Sequence, residues 1–395
     1  MAAQRRHSSV TTSPLRLAFN ATPLLSPITG IGNYIIELGR ALAARDEIEA
    51  YSFYRFRWQS GAPEPLAAPR HESSKSMAER IKPLVPFRGS LRSAGRYLGF
   101  GRGLRRFHID LYHEQNYVPL SYDVPVVVTI HDLSWLHYPE AHPGDRVRWL
   151  QRGVPDAIDR AQHILVDSDF VRHEVLTTFG IDTEKIRTAH LGVSADFRPR
   201  NADETRGSLV PLGLSHGGYL LTVGTIEPRK NLRSMVEAYG LLPASVRRRF
   251  PLVIAGARGW HSAEMVARLR RVASDQVRFL GHVERRVLRD LYAGAALFAF
   301  PSLYEGFGLP PLEAMASGVP VIVSNRASLP EVVGDAGEVM DPADAAQMAA
   351  SVLALLADPD LRRELARRGI DRAGRFTWSA CASATSDVYR QVLGG

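Results

Sequence analysis

The sequence predicts an α/β protein of two Rossmann-like, doubly wound parallel-sheet domains facing a cleft, and three observations predict it. The first is length, because 395 residues exceed what a single hydrophobic core usually serves. The second is a repeated alternation of short apolar runs with amphipathic, capped segments, the pattern of βα units. The third is a break in that pattern near residues 192–214, after which it starts again.

Taken in order, residues 1–13 carry Arg5, Arg6 and His7 and then a Ser/Thr run with no apolar stretch. They read as a disordered tail and not as a signal peptide. The first domain is expected over 14–198. Leu15–Phe19 reads as a strand and Asn33–Ala44 as a helix. Val124–Ile130 is a near-continuous apolar run, as a parallel strand covered on both faces requires. His163–Val166 is another, with Ser168 placed to cap the helix after it. Phe197-Arg198-Pro199-Arg200-Asn201 and the polar residues beyond it offer no face for burial, so 199–213 reads as the linker. The second domain, 214–375, has strands expected at Tyr219–Gly224, Leu252–Gly256, Val277–Leu280, Leu297–Pro301 and Val319–Ser324. A last segment, 376–395, carries Trp378 and Tyr389.

Composition narrows the class. Apolar content of 45% with 23% charged residues is that of a soluble globular protein. One cysteine, Cys381, excludes an intrachain disulfide and fits a reducing cytoplasm. The longest apolar runs are far too short to span a bilayer, so a cytoplasmic protein is expected. The net charge of +8 is unevenly spread: ten Lys and Arg lie between Arg70 and Arg106 against only Glu72 and Glu79. Apolar residues such as Phe87, Tyr97, Leu98 and Phe100 interleave with them. Two readings of 70–106 stand side by side, a peripheral docking face for an anionic membrane and a solvated helical face without a partner. Nucleic acid ranks below both, since no binding motif accompanies the charge.

The strongest chemical signal is Phe300-Pro301-Ser302-Leu303-Tyr304-Glu305-Gly306-Phe307-Gly308-Leu309-Pro310-Pro311-Leu312-Glu313. A strand ends near Pro301, and Pro310-Pro311 suits the first turn of a helix that stops at Gly318. Gly306, Phe307, Gly308 and Leu309 therefore form a turn feeding a helix N-terminus, where free N–H groups and the helix dipole favour a diphosphate. Glu305 and Glu313 flank that turn. Carboxylates repel phosphate and accept from hydroxyls, so a sugar on one side and a ribose on the other would satisfy both. Elsewhere, His131 follows the strand Val124–Ile130, and a histidine at a strand's carboxyl end faces a cleft. Thr29-Gly30-Ile31-Gly32-Asn33 precedes a helix, but it lacks the third glycine and the strand spacing of a dinucleotide fingerprint. That disfavours a dehydrogenase.

The Glu305–Glu313 segment resembles the E-x7-E signature of the retaining glycosyltransferases of family 4, which have the GT-B fold. Further stretches agree: Gly224-Thr225-Ile226-Glu227-Pro228-Arg229-Lys230-Asn231, Ile254-Ala255-Gly256, Phe279-Leu280-Gly281-His282-Val283, and Leu329-Pro330-Glu331-Val332. Within the family the chain is most similar to the mannosyltransferases of O-antigen and polysaccharide assembly. The resemblance implies a nucleotide-sugar donor, GDP-mannose first and GDP-rhamnose or a UDP- or dTDP-hexose behind it, and a glycan or lipid-linked glycan acceptor. It implies His131 lining the reaction centre, Arg229 and Lys230 neutralising the departing diphosphate, and Glu305 holding the transferred sugar. Glu313 would hold the ribose, Val283 and the Arg258–Gly259 region the base, and Gly30 and Gly32 would face the donor phosphate. Family members often place arginine directly after the strand glycine, where this chain has Thr225. The last helix is expected to cross back to the first domain. Asp167-Ser168-Asp169 imitates the D-x-D metal motif of the other large glycosyltransferase fold, but its strand-to-helix position reads as a cap. No obligatory metal or other cofactor is expected. Rival readings are an epimerase or phosphorylase on the same scaffold, and a silent binding subunit that would lack Lys230, Glu305 or His131.

Overall fold

The structure is a computed structural model that describes residues 13–26, 28, 30–65, 88–257, 259, 267, 269 and 276–394. Most of the expected tail, residues 70–87 of the basic stretch, Thr29 and Arg258 lie outside the described residues.

Two sheets organise the chain. The first contains β1 (Leu15–Asn20), β2 (Ile48–Tyr54), β3 (Arg57–Ser60), β4 (Leu111–Glu114), β5 (Val126–Ile130), β6 (His163–Val166) and β7 (Ile186–Thr188). Their order is β3-β2-β1-β4-β5-β6-β7, all parallel except β3, which runs antiparallel to β2. The second contains β8 (Leu220–Val223), β9 (Leu252–Ala255), β10 (Val277–Gly281), β11 (Leu297–Phe300), β12 (Val321–Ser324) and β13 (Glu338–Met340). Its order is β10-β9-β8-β11-β12-β13, parallel throughout. In each sheet the order reverses once, between β1 and β4 and between β8 and β11. The carboxyl ends of the strands at those reversals are where an open α/β sheet binds ligands.

The central strands are short and apolar because both of their faces are covered: all five residues of β5, Val-Val-Val-Thr-Ile, are buried. Ser168 caps the helix Asp169–Phe179, its hydroxyl accepting from the amide of Val171 at 3.2 Å. The final helix, Trp378–Gly394, lies against the first-sheet helix Gly30–Ala43. There the Tyr389 hydroxyl sits 2.7 Å from His113 Nδ1 at the end of β4, and Asp387 pairs with Arg187 of β7 at 3.3 Å. No helix among the described residues is long and apolar enough to cross a membrane.

Two local expectations are corrected. Residues 199–213 are not an irregular linker: they carry the helix Ala202–Leu209, opened by a reciprocal capping box between Asn201 and Glu204. Its Ser208 donates to buried Asp290 at 2.6 Å, so the polar residues bury by pairing and not by hydrophobicity. Gly30 and Gly32 do not precede the first helix but form its first turn, with Gly32 packed on Leu24 and Ile28.

Candidate active site

The turn at 305–308 is built by its neighbours. Ser328 Oγ lies 2.9 Å from the Glu305 carbonyl and 2.6 Å from that of Phe307, holding the loop from below. Gly308 adopts φ +118°, which an L side chain rarely tolerates, and the helix Leu309–Ala316 starts after it with Pro310 and Pro311 in its first turn. Among the described residues, the amides of Gly306, Phe307, Gly308 and Leu309 have no backbone or side-chain acceptor. The turn thus offers N–H groups to an anion.

Arg229 and Lys230 reach this turn from a short helical turn, Pro228–Lys230, beyond β8. Lys230 Nζ stands 2.5 Å from Glu305 Oε1, and Arg229 lies 3.1 Å from Glu305 Oε2 and 2.7 Å from Glu227. Ser302 Oγ adds a 2.6 Å contact to Glu305 Oε1. Glu305, expected to meet hydroxyls, meets the Ser302 hydroxyl and two cations as well. Burial raises the cost of its charge, but Lys230 and Arg229 outweigh it and hold the carboxyl below the usual range. The pKa of Lys230 is lowered as well, by burial first and then by Arg229, in spite of Glu305. With three donors on its four lone-pair positions, the Glu305 carboxylate keeps one, on Oε2, for a sugar hydroxyl.

Glu313 sits apart, and among the described residues no ion pair links it to Lys230 or Arg229. Burial pushes its carboxyl up to about 7, with Tyr292 and Arg285 offsetting only part of that cost. The paired-carboxylate picture therefore splits into one charged member and one poised near neutrality. Thr225 is exposed and Val283 half-buried, at the carboxyl ends of β8 and β10.

The first domain closes on the turn directly. A Cβ placed on Gly306 would stand 2.0 Å from the carbonyl oxygen of His131. Ser168 Oγ donates to the Gly306 carbonyl at 2.6 Å, so the cap residue is also an interdomain contact. His131 differs from expectation: both ring nitrogens are engaged, Nδ1 with Asp167 at 2.7 Å and Nε2 with the Gln115 carbonyl at 2.8 Å. A carbonyl only accepts, so Nε2 carries a proton. Burial opposes the charge, but Asp167 outweighs it and raises the histidine's pKa, favouring the imidazolium. It is the backbone of His131 that meets the turn.

Sequence reasoning missed two residues here. The Tyr304 hydroxyl accepts from the Leu133 amide at 2.9 Å and donates to Glu174 at 2.5 Å, pinning the turn into the first domain. Glu331 accepts from the amides of Asp169 and Phe170, at 2.9 and 3.1 Å, and from His190 at 2.7 Å. A carboxylate from one domain thereby caps a helix N-terminus of the other. Asp169, His190 and Glu331 stand close enough to hold a metal ion, but Glu331 is spent on those amides and Asp169 accepts from Thr188.

Residues 28–197 match the Glycosyltransferase Family 4 profile and residues 215–372 that of Glycosyl transferases group 1. The chain is 38% identical over 382 residues to the O-antigen chain mannosyltransferase B of Escherichia coli, covering 95% of this chain and 100% of that one. It is 32% identical over 278 residues to the serotype-specific mannosyltransferase WbdA of Escherichia coli, covering 69% of this chain and 34% of that larger protein. Among solved structures, sucrose-phosphate synthase from Thermosynechococcus elongatus superposes with a TM-score of 0.74 at 21% identity, covering 96% and 99% of the two chains. Two parallel sheets, a signature turn at the second switch point and end-to-end similarity agree, and the chain belongs to glycosyltransferase family 4, as a hexosyltransferase of GT-B fold.

Proposed function

We propose that the protein transfers mannose from GDP-mannose, with retention at the anomeric carbon, onto a lipid-linked glycan in O-antigen or related polysaccharide assembly. The observation that carries this reading is the convergence of Arg229, Lys230 and Glu305 on the anion-ready turn. End-to-end similarity to a relative named as an O-antigen chain mannosyltransferase supports the choice of sugar and process. In this mechanism the turn amides and the two cations take up charge on the leaving diphosphate, whose oxygen assists deprotonation of the acceptor hydroxyl. Glu305 orients the sugar while staying ionised between its cations. Glu313 accepts from the ribose hydroxyls, His131 and Asp167 shape the wall opposite, and Thr225 and Val283 border the base. No step draws on a metal.

Nucleotide binding tests this. GDP is expected to raise the melting temperature more than UDP, dTDP or ADP at equal concentration, and stabilisation by UDP alone would sink the GDP assignment. GDP affinity should be flat above about pH 7 and weaken toward tenfold per pH unit below it, as Glu313 protonates and stops serving as a charged acceptor. Glu313→Gln should flatten that profile at the weaker level. An unchanged profile in the variant removes Glu313 from the ribose site.

The acceptor's lipid anchor is consistent with a peripheral, cytoplasmic-face position on the membrane. On the helix Arg88–Arg106, Tyr97 and Leu98 are exposed beside the exposed Arg102, Arg105 and Arg106. The protein should sediment with phosphatidylglycerol vesicles and not with phosphatidylcholine ones, and Arg102→Glu with Arg106→Glu should remove the difference. Equal sedimentation with both lipids counts against docking.

A further inference from the structure

One element of the first domain takes much of the second domain's grip. The helix Asp169–Phe179 receives Tyr304 at Glu174, the Gly306 carbonyl at its capping Ser168, and Glu331 at its opening amides. All three second-domain groups belong to one block. Tyr304 and Gly306 flank Glu305, and Glu331 lies on the short helix Leu329–Val333. That helix starts directly after Ser328, which holds the Glu305 and Phe307 carbonyls. Arg372 fixes it from the other side, donating to the carbonyls of Glu331 at 2.5 Å and Val332 at 3.0 Å. Whatever seats this block on the helix Asp169–Phe179 also sets the separation between the donor turn and His131.

The N-terminal cap of that helix is divided between the domains. Ser168 Oγ satisfies the Val171 amide at 3.2 Å. The Asp169 and Phe170 amides donate to separate oxygens of Glu331, at 2.9 Å to Oε1 and 3.1 Å to Oε2. The first turn of a helix carries free amides and partial positive charge, which suits a carboxylate. Asp169 already places one acid there, so a second arriving from the other domain meets repulsion. His190 answers it: Nε2 stands 2.7 Å from Glu331 Oε1, and one polar atom from each of Asp169, His190 and Glu331 lies within 4.8 Å of the others. Asp167, Arg372 and the rings of Phe307 and Phe376 also face His190. The hydrogen bond to Glu331 is the largest influence on its pKa and raises it, against burial and Arg372.

We propose that Glu331 is a positioning residue for transfer: with protonated His190 as counter-ion, it seats the second domain on the helix Asp169–Phe179 and so brings the donor turn to its working distance from the first domain. Transfer here rests on the mannosyltransferase reading above, while the seat stands on the contacts between the domains. The closed arrangement binds the His190 proton more tightly than the open one. Closure is therefore fully supported below the histidine's usual 6.5 and weakens as pH rises through the raised value.

Spin labels on Gln151→Cys and Ala346→Cys, exposed positions in the two domains, report the closed population of the full chain by pulsed electron resonance; Cys381 is buried. In Glu331→Ala the closed-to-open ratio should fall about tenfold. Turnover at saturating donor should fall in proportion to the closed population, while calorimetric GDP affinity stays within about twofold of the parent. Proline is tolerated at the first helical position, so Asp169→Pro keeps the helix but removes the amide that faces Glu331 Oε1. It should lower closure as well, and the two substitutions together should be no worse than the stronger one alone. His190→Gln keeps a donor for Glu331 and should hold closure constant from about pH 6 to about pH 9, where the parent's declines. Parental turnover in Glu331→Ala would overturn the proposal, and so would full additivity with Asp169→Pro, which makes each a separate local defect. A decline with pH retained in His190→Gln would remove the histidine as counter-ion. Closure that responds as stated in a chain that transfers no mannose keeps the seat and loses the transferase reading.

Discussion

Gly306→Ala is expected to lower transfer about 100-fold while leaving nucleotide binding to the second domain close to that of the parent. The added methyl would stand 2.0 Å from the His131 carbonyl oxygen and 3.0 Å from Asp132 Cβ, both in the opposite domain. These are not flexible side-chain ends, so the domains themselves must separate. A displacement of about 1 Å at a reaction centre costs about 100-fold. Kinetics with saturating donor, set beside a nucleotide melting-shift assay, separates the two effects. Parental turnover in Gly306→Ala would mean that the closed contact between the turn and the first domain is not the reacting arrangement.

Lys230→Ala should be as damaging for a different reason. It removes a cation from the diphosphate site, a loss of about 10² to 10³ in kcat for an electrostatic stabiliser of this kind. It also leaves Glu305 buried with Arg229 alone, and breaking a buried pair from one side costs about 3–5 kcal/mol. Adding Glu305→Gln to a Lys230→Met background takes away the stranded charge. The double variant should therefore recover much of the melting temperature while remaining inactive. If activity returned together with stability, Lys230 would be a structural counter-ion and nothing more.

What could be read along the chain was whatever the chain encodes locally. His163–Val166 was legible as a strand to the residue, because three apolar residues follow His163 and a capping serine stands two residues beyond Val166. The turn at Gly306–Leu309 was legible too, because glycine, proline and acidic residues follow one another at fixed spacing. Strands β7 and β13, of three residues each, are too short to show a period, and the hairpin β2–β3 follows a different topology from the βα units around it. The partners of Glu305 were not legible because Lys230 lies 75 residues away, and the donor-side carboxylate was read as a hydroxyl clamp before its cations were in view. Tyr304 and Glu331 escaped for the same reason: their partners belong to the other domain.

The returning helix Trp378–Gly394 has a consequence for how the protein is made. It covers the helix Gly30–Ala43, and Tyr389 reaches a histidine in the middle of the first sheet. During synthesis the first half emerges early but lacks this lid until residues 378–394 have left the ribosome. Domains otherwise fold in order as they are translated, so here the first must wait for the second with an apolar face uncovered. Pairings across some 276 residues of chain also close slowly, since loop-closure entropy must be overcome before the contact forms. The newborn chain is thus most exposed to aggregation in the interval before residues 378–394 emerge, and truncations that remove them should fail by precipitating the half they do not touch.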